Sequence, residues 1–452
     1  MQRSARLTSV LAVGLAMLAG GDAGALAAPP WSEPQSINGR FERILFNSNG
    51  QGMLVGLGQV ASGDGRRGVR AATVQGGMPG QVRELITPLD LGVMEVYERD
   101  GVVAGGHVGV KRGVLPHVAL TRGRIGHRLG RPQPLRGRSR SSHLLDLAVN
   151  GVGNAVAVVR WCETAGCGRQ TLAIFRWRRG ARLSRPVRIA RGRRLGAGVA
   201  INRRGDVAIM WDRFSRRGRR EVFGQILTAS GKLRPRQRVG AAPAGPRYRI
   251  ALTDDRRVVA AWIAQDVSEC HAHAGEIAVA QAGKGGRFGR ARRLTTLAIT
   301  GCGRYASDPA VQFARAPDGR VLIAWSGNEG ARWVVRAGEL GAAGVEGATV
   351  VSDRARDAVL ADLALGSRGE AVLLLAEGVG GSDPTGPNRL LAVTRGWNRG
   401  GFTAPELVAD ETGIGSSVTF DPLTSRTTVA YPATDAQFMP TTSVVTRDWF
   451  GP

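Results

Sequence analysis

The stretch 199–211, VAINRRGDVAIMW, reads as a strand, a tight polar turn at 202–205, and a second strand ending in a large aromatic. The same arrangement returns seven more times. Aligned on the residue that precedes the second strand, the copies are RILFNSNGQGMLVG (anchor Gly50), VMEVYERDGVVAGGH (Gly101), LDLAVNGVGNAVAVV (Gly153), VAINRRGDVAIMW (Gly205), RIALTDDRRVVAAW (Arg256), VQFARAPDGRVLIAW (Gly319), LADLALGSRGEAVLLL (Gly369) and VTFDPLTSRTTVAY (Ser425). Successive anchors lie 51, 52, 52, 51, 63, 50 and 56 residues apart, and a period that steady marks a repeat architecture. Six residues past the anchor stand Trp211, Trp262, Trp325 and Tyr431, with Leu375, Val159, His107 and Gly56 in the other copies.

Each unit reads as β. Its apolar runs are short, rich in Val, Ile, Leu and Ala, and punctuated by Gly, Asn, Asp and Arg. No stretch keeps a helical i, i+3, i+4, i+7 pattern. Gly at the anchor suits a hairpin turn, which demands positive φ. Two further strands follow in each unit. The third is a run such as LAIFRW (172–177), VFGQIL (222–227) or LLAVTR (390–395). The fourth is a recurring phrase: PGQVRELI (79–86), LGRPQPL (129–135), LSRPVRI (183–189), LRPRQRV (233–239), FGRARRL (288–294), GVEGATV (344–350) and FTAPELV (402–408). Pro in this phrase suits an edge, because Pro cannot donate to a ladder.

Four antiparallel strands per unit, repeated radially, is the β-propeller plan. The eighth phrase, WSEPQSI (31–37), precedes the first hairpin, while the last unit stops after a third-strand run, SVVTRDW (443–449). The expected fold is therefore all-β, an eight-bladed β-propeller of four-stranded antiparallel blades closed by the N-terminal strand. The chain resembles exported multi-bladed β-propeller repeat proteins of the sialidase-like and WD40-like superfold. The resemblance stops at the fold. Sialidase repeats carry a Ser-x-Asp-x-Gly-x-x-Trp turn, whereas here the aromatic falls six residues after the turn Gly and the Ser and Asp are absent.

Residues 1–27 have the pattern of a signal peptide: Arg3 and Arg6, the apolar core 7–20, and Ala25-Leu26-Ala27 as a small-x-small cleavage site. The core is short for a membrane span. Residues 28–452 are then expected to form one exported, soluble, monomeric domain, extracellular or periplasmic. Four cysteines fit that compartment. In a four-stranded blade the second-to-third loops share one face with the loops leading to the next blade. Cys162, Cys167, Cys270 and Cys302 all fall on that face, and the expected disulfides are Cys162–Cys167 and Cys270–Cys302.

The same face carries the longer loops, at 58–68, 212–220, 263–275, 295–308, 376–388 and 432–441, and is the expected ligand face. Its candidate contact residues are Asp64, Asp212, Arg213, Asp266, Glu269, His271, His273, Tyr305 and Asp308. Cys270, His271 and His273 beside Glu269 resemble a zinc cluster, but no second ligand pair lies near in sequence, and Cys270 is assigned to a disulfide. No metal and no cofactor is expected. No Gly-rich phosphate loop, Gly-x-Ser-x-Gly elbow or His-Glu-x-x-His motif occurs, and no carboxylate pair of the kind glycoside hydrolysis requires stands out. The recurring Trp residues read as blade-to-blade core rather than a sugar-stacking set.

Formal net charge is +26, and only three of the 62 basic residues are Lys. Residues 111–140 hold nine basic groups and no acid, whereas 351–452 hold eight Arg against twelve Asp and Glu. A basic flank of this kind attracts polyanions such as acidic polysaccharide or nucleic acid; Arg written wherever a solvated cation is tolerated gives the same composition. The leading expectation is a non-catalytic binding or scaffold module whose partner is an anionic polysaccharide or a surface protein. The alternatives are a carbohydrate-active glycosidase or lyase and a wall-associated structural protein that binds polyanions.

Overall fold

A computed structural model describes residues 31–448 apart from 39–40, 42, 47–50, 60–66, 76–77, 86–88, 98–100, 109–116, 125–128, 136–140, 165–166, 216–218, 243–246, 265–272, 300–310, 316–319, 331, 342–344, 367, 379–387, 397–399, 413–415, 422–423 and 435–439. The described residues form eight four-stranded antiparallel sheets. Blade 3 is typical: Ser141–Val149, Ala155–Cys162, Gln170–Trp177 and Val187–Gly192 pair in chain order. In blades 4, 5 and 6 the second strands are Val207–Phe214, Val258–Ala264 and Val321–Glu329, and the third strands are Arg220–Leu227, His273–Ala282 and Arg332–Leu340. The first strand of each blade touches that of the next all the way round, including blade 8 back to blade 1, so the ring is closed.

Blade 8 is built from both ends of the chain. Its sheet runs Ser417–Phe420, Thr427–Thr434, Pro440–Arg447 and then Gln35–Asn38. Gln35 opposes Val444 and Asn38 opposes Thr441. Ser32 donates its N–H to the Thr446 carbonyl at 2.8 Å and accepts the Thr446 N–H at 2.9 Å on its hydroxyl. The expected apolar anchors both engage, on opposite sides of the blade. Trp31 is half-buried against the core shared by blades 7 and 8. Ile37 is buried with Phe41, Ile44, Leu54, Ala72 and Val74 of blade 1 and with Ala430 and Val444 of blade 8. This docking covers the edge that the third strand would otherwise leave bare.

Five of the eight turn anchors carry the backbone conformation the repeat demanded. Gly153, Gly205 and Gly369 have φ of 85°, 84° and 101°, and Arg256 and Ser425 hold the same left-handed region at 67° and 57°. Gly50 and Gly319 lie outside the described residues. In blade 4 the turn is organised by Asn202, whose side-chain oxygen accepts the Asp206 N–H at 2.9 Å. Its Nδ2 donates to the Thr253 carbonyl of blade 5 at 3.1 Å, and Asn150 of blade 3 does the same to the Asn202 carbonyl at 2.8 Å. The turns are thus stapled blade to blade.

Period-two alternation sends each strand's side chains into two different interfaces. Val207, Ile209 and Trp211 face blade 3, and Ala208 and Met210 face blade 5. Trp211 and Trp262 are fully buried, Trp325 is 2% exposed and Tyr431 5%, so the recurring aromatics are core. In blades 3, 7 and 8 the fourth strand starts directly after the Pro of the phrase: Val187 after Pro186, Glu406 after Pro405 and Gln35 after Pro34. The donor missing from Pro explains the delay. Blade 1 departs from this, its fourth strand Met78–Leu85 starting one residue before Pro79, and blade 2 keeps only Gln133–Pro134 after Pro132.

Candidate functional site

Two places in the ring gather polar chemistry, and they lie at opposite ends of the strands. The first is at the loop end, between blades 4 and 5. Asp212 lies in the second strand Val207–Phe214 rather than in a loop, because that hairpin keeps pairing as far as Phe214–Arg220. It shares the face of Ala208 and Met210 and is fully buried. Arg220, also buried, donates to it at 2.5 Å, and the Tyr248 hydroxyl donates at 3.0 Å from the first strand of blade 5. Burial raises the Asp212 carboxyl to about 6 even though the Arg220 charge and the Tyr248 hydrogen bond pull it down. Burial, and then the neighbouring carboxylate, push the Tyr248 phenol well above its ordinary range. Gly196 makes room: a Cβ there would come within 2.6 Å of Asp212 Oδ1. Asp212 Oδ2 is held within blade 4 by Arg220, and Oδ1 receives Tyr248 from blade 5, so the cluster ties the two blades together through the Tyr248 hydrogen bond.

Arg213, the next residue, points the opposite way by alternation. It packs over the Phe223 ring at 5.1 Å and lies 3.7 Å from Glu221. The structure therefore separates Asp212 and Arg213, which the sequence had grouped on one ligand face. His273 begins the third strand of blade 5. Asp64, Asp266, Glu269, His271, Tyr305 and Asp308 lie outside the described residues, as do Cys270 and Cys302. The Cys162–Cys167 disulfide is present, and His143 approaches it within 4.8 Å. The bonded sulfurs leave no thiolate pair there for a metal.

The second place is at the turn end, where the arginines fall into two kinds. Some are spent on the fold. Arg176 of blade 3 donates to the carbonyls of Gly205, Thr228 and Ala229 of blade 4 at 3.0, 3.1 and 3.0 Å. Arg122 of blade 2 likewise reaches the carbonyls of Gly153, Trp177 and Arg178 of blade 3. Arg395 pairs with Glu339 at 2.9 Å and Arg447 with Glu406 at 2.6 Å, each arginine nearly buried. Others are not spent. Arg287, Arg290 and Arg293 are exposed and have no acidic partner among the described residues.

These three surround a cleft of about 770 Å³ between blades 5 and 6. Arg257 and Arg292 also line it, and no Asp or Glu is among its described lining residues. Arg257 is held by Asp255 at 3.0 Å. The wall is apolar: Val259, Val279 and Val321 are buried, while Leu294, Leu340 and Val345 are half-buried. All but Val321 belong to, or pack on, the core shared by the two blades, which is open at its turn end.

Strand register explains the opening. In blades 3, 4, 5, 7 and 8 the phrase starts with a residue that caps the interblade core. Leu183 does so opposite Trp177, Leu233 opposite Leu227 and Phe288 opposite Ala282, the last residue of the third strand in each case. Phe402 and Trp31 occupy the place in blades 7 and 8. In blade 6 the residue opposite the strand end, Leu340, is Val345. Val is the smallest side chain of the set, and its turn is one residue shorter, so this cap does not reach across. The phrase alignment GVEGATV put Gly344 at the cap; pairing moves it to Val345. A signal for the cleft was in the sequence: GVEGATV, like PGQVRELI of blade 1, lacks the large apolar first residue that the other phrases carry. A smaller hollow of about 240 Å³ between blades 3 and 4 is lined by Arg176, Arg178 and Arg204, and Arg176 there is already consumed by carbonyls.

No protein-family model matches the chain, and no curated protein is similar to it. Similar solved structures include puromycin hydrolase, at 15% identity over 88% of this chain and 50% of that chain, with a TM-score of 0.44. The β-propeller domain of the Trilobed protease from Pyrococcus furiosus matches at 9% identity over 85% of this chain and 98% of that chain, with a TM-score of 0.42. Trypanosoma rangeli sialidase in complex with the inhibitor DANA matches at 9% identity over 93% of this chain and 60% of that chain, with a TM-score of 0.40. This chain thus spans half the length of the puromycin hydrolase structure. At such identities the likeness concerns the fold alone. No helix among the described residues is long and apolar enough to cross a membrane.

Proposed function

We propose that this protein is an exported, non-catalytic binding module whose ligand is anionic and sits in the turn-end cleft between blades 5 and 6. The observation that carries the reading is the contrast among arginines. Those that tie blades together have carbonyl or carboxylate partners, whereas Arg287, Arg290 and Arg293 have no acidic partner among the described residues and ring a cavity of ligand size. Arginine without a counter-ion at a concave site attracts carboxylate, phosphate or sulfate groups. The leader-like segment 1–27 and the Cys162–Cys167 disulfide support export into an oxidising compartment. The loop face of the sequence reading falls largely outside the described residues, and the turn-end cleft replaces it as the leading site.

Replacing Arg287, Arg290 and Arg293 with Ala tests this against net charge. Arg179, Arg182 and Arg185 are equally exposed on blade 3, and their triple Ala variant removes the same charge. Binding of heparin oligosaccharide and of inorganic phosphate is measured by calorimetry across a salt series. The cleft variant is expected to weaken binding at least tenfold and to flatten the salt dependence, and the blade 3 variant to stay within about twofold. Equal losses in both variants would reduce the arginine excess to a non-specific charge effect.

A further inference from the structure

Resting on that reading, we infer that the cleft takes an amphiphilic anion: a slender apolar body, such as an acyl chain, that ends in a phosphate or carboxylate. Charge alone does not require a cleft, because a polyanion is held equally well by a convex basic surface. What distinguishes this site is the apolar wall beneath the arginines. Leu294, Leu340 and Val345 are only half-buried, at the place where other interblade cores are capped by Leu, Phe or Trp. A guest that completes this core gains the burial those caps provide elsewhere. Gly283, Gly289 and Gly341 present no side chain along the lining, which leaves the apolar floor reachable from the basic rim.

The head group and the body have separate partners. Arg287, Arg290 and Arg293 stand on the outer part of blade 5, in and just before its fourth strand, and can converge on one anionic head. Glu346, exposed in the fourth strand of blade 6, lies over Gly341, where an added Cβ would meet its carboxylate oxygen. It therefore excludes a second negative charge from the blade 6 lip and sets the polarity of the guest, with its head toward blade 5 and its tail toward the core.

The test is a chain-length series against the mature protein: inorganic phosphate, then butyl, hexyl and octyl phosphate, with hexanoate and octanoate as the carboxylate arm and octyl glucoside as the neutral arm. All are used below their micelle concentrations. Affinity is expected to rise about two- to fourfold per added methylene, in both anionic arms, with octyl glucoside at least tenfold weaker than octyl phosphate. Val345→Phe supplies the missing cap. It should abolish the chain-length dependence, and a thermal melt establishes that the variant is folded. Should it not fold, Glu346→Gln provides a second readout and is expected to strengthen octyl phosphate severalfold. An octyl phosphate affinity equal to that of inorganic phosphate, with both still lost in the triple Arg variant, overturns the amphiphile and leaves the anion site standing. Indifference of every probe to the triple Arg variant overturns the site itself.

Discussion

Replacing Ile37 with Ala should open the ring between blades 8 and 1. Ile37 is 7% exposed, and its contacts come from both blades, so its loss weakens the one interface that no continuous chain bridges. Three buried methyl or methylene groups disappear, worth about 0.8 kcal/mol each by transfer. With the residual cavity the total comes to about 2–4 kcal/mol. Ser36, one residue away and exposed, serves as the control, and Ser36→Ala should cost less than about 0.5 kcal/mol. A chain that starts at residue 41 removes the entire fourth strand of blade 8. It also removes the half-buried Trp31, over whose ring Arg447 lies at 5.4 Å. Its third strand, Pro440–Arg447, becomes an unpaired edge. Hydrogen exchange of that strand is the assay: about 2–4 kcal/mol corresponds to a roughly 30- to 1,000-fold loss of protection wherever opening of this closure limits exchange. The urea midpoint should fall in parallel. If Ile37→Ala leaves both exchange and midpoint within the range of Ser36→Ala, the N-terminal strand does not hold the ring shut, and the reasoning fails.

Ser425→Gly should stabilise the protein by about 0.5–1 kcal/mol, because φ of 57° suits Gly and the turn hydrogen bond from Ser425 N–H to the Asp421 carbonyl is kept. Gly205→Ala, at φ 84° with nothing closer than 3.6 Å to the new Cβ, should lose about 1–2 kcal/mol from backbone strain alone. Paired urea melts check the opposite signs, and a shared sign refutes the turn argument. Asp212 makes stability depend on pH in the direction opposite to most carboxylates. Its folded pKa of about 6 lies above the ordinary 3.8, so its contribution is full below about 4 and is lost as pH rises through 6, by up to about 3 kcal/mol. Asp212→Asn should flatten the stability profile between pH 4 and 7, and an unchanged slope there would remove Asp212 as the cause.

The left-handed backbone at the non-glycine anchors Arg256 and Ser425 emerged from the structure, whereas the sequence by itself determined the repeat, the eight blades, the turn positions, the buried aromatics and the closing segment at residues 31–37. These are local properties. A strand–turn–strand unit carries its alternation and its turn chemistry within about fifteen residues, and the same signal was read eight times over. The tertiary structure alone decided what the polar residues do. Asp212 and Arg213 are neighbours in sequence and belong to different interfaces, because alternation separates them and the neighbouring blade decides what each meets. Tyr248 reaches Asp212 from 36 residues away in the chain, and Leu294 and Val345, from different blades, meet on one interblade core. Bulges between Leu144 and Asp146, and between Leu360 and Asp362, shift the strand register and aim those carboxylates at the Val199 and Val418 amides of the following blades. An arginine bound to a carbonyl and an arginine open to a ligand are the same letter. Only the position of the adjacent blade separates the two, since the partner that neutralises a charge is chosen by distance in space rather than along the chain.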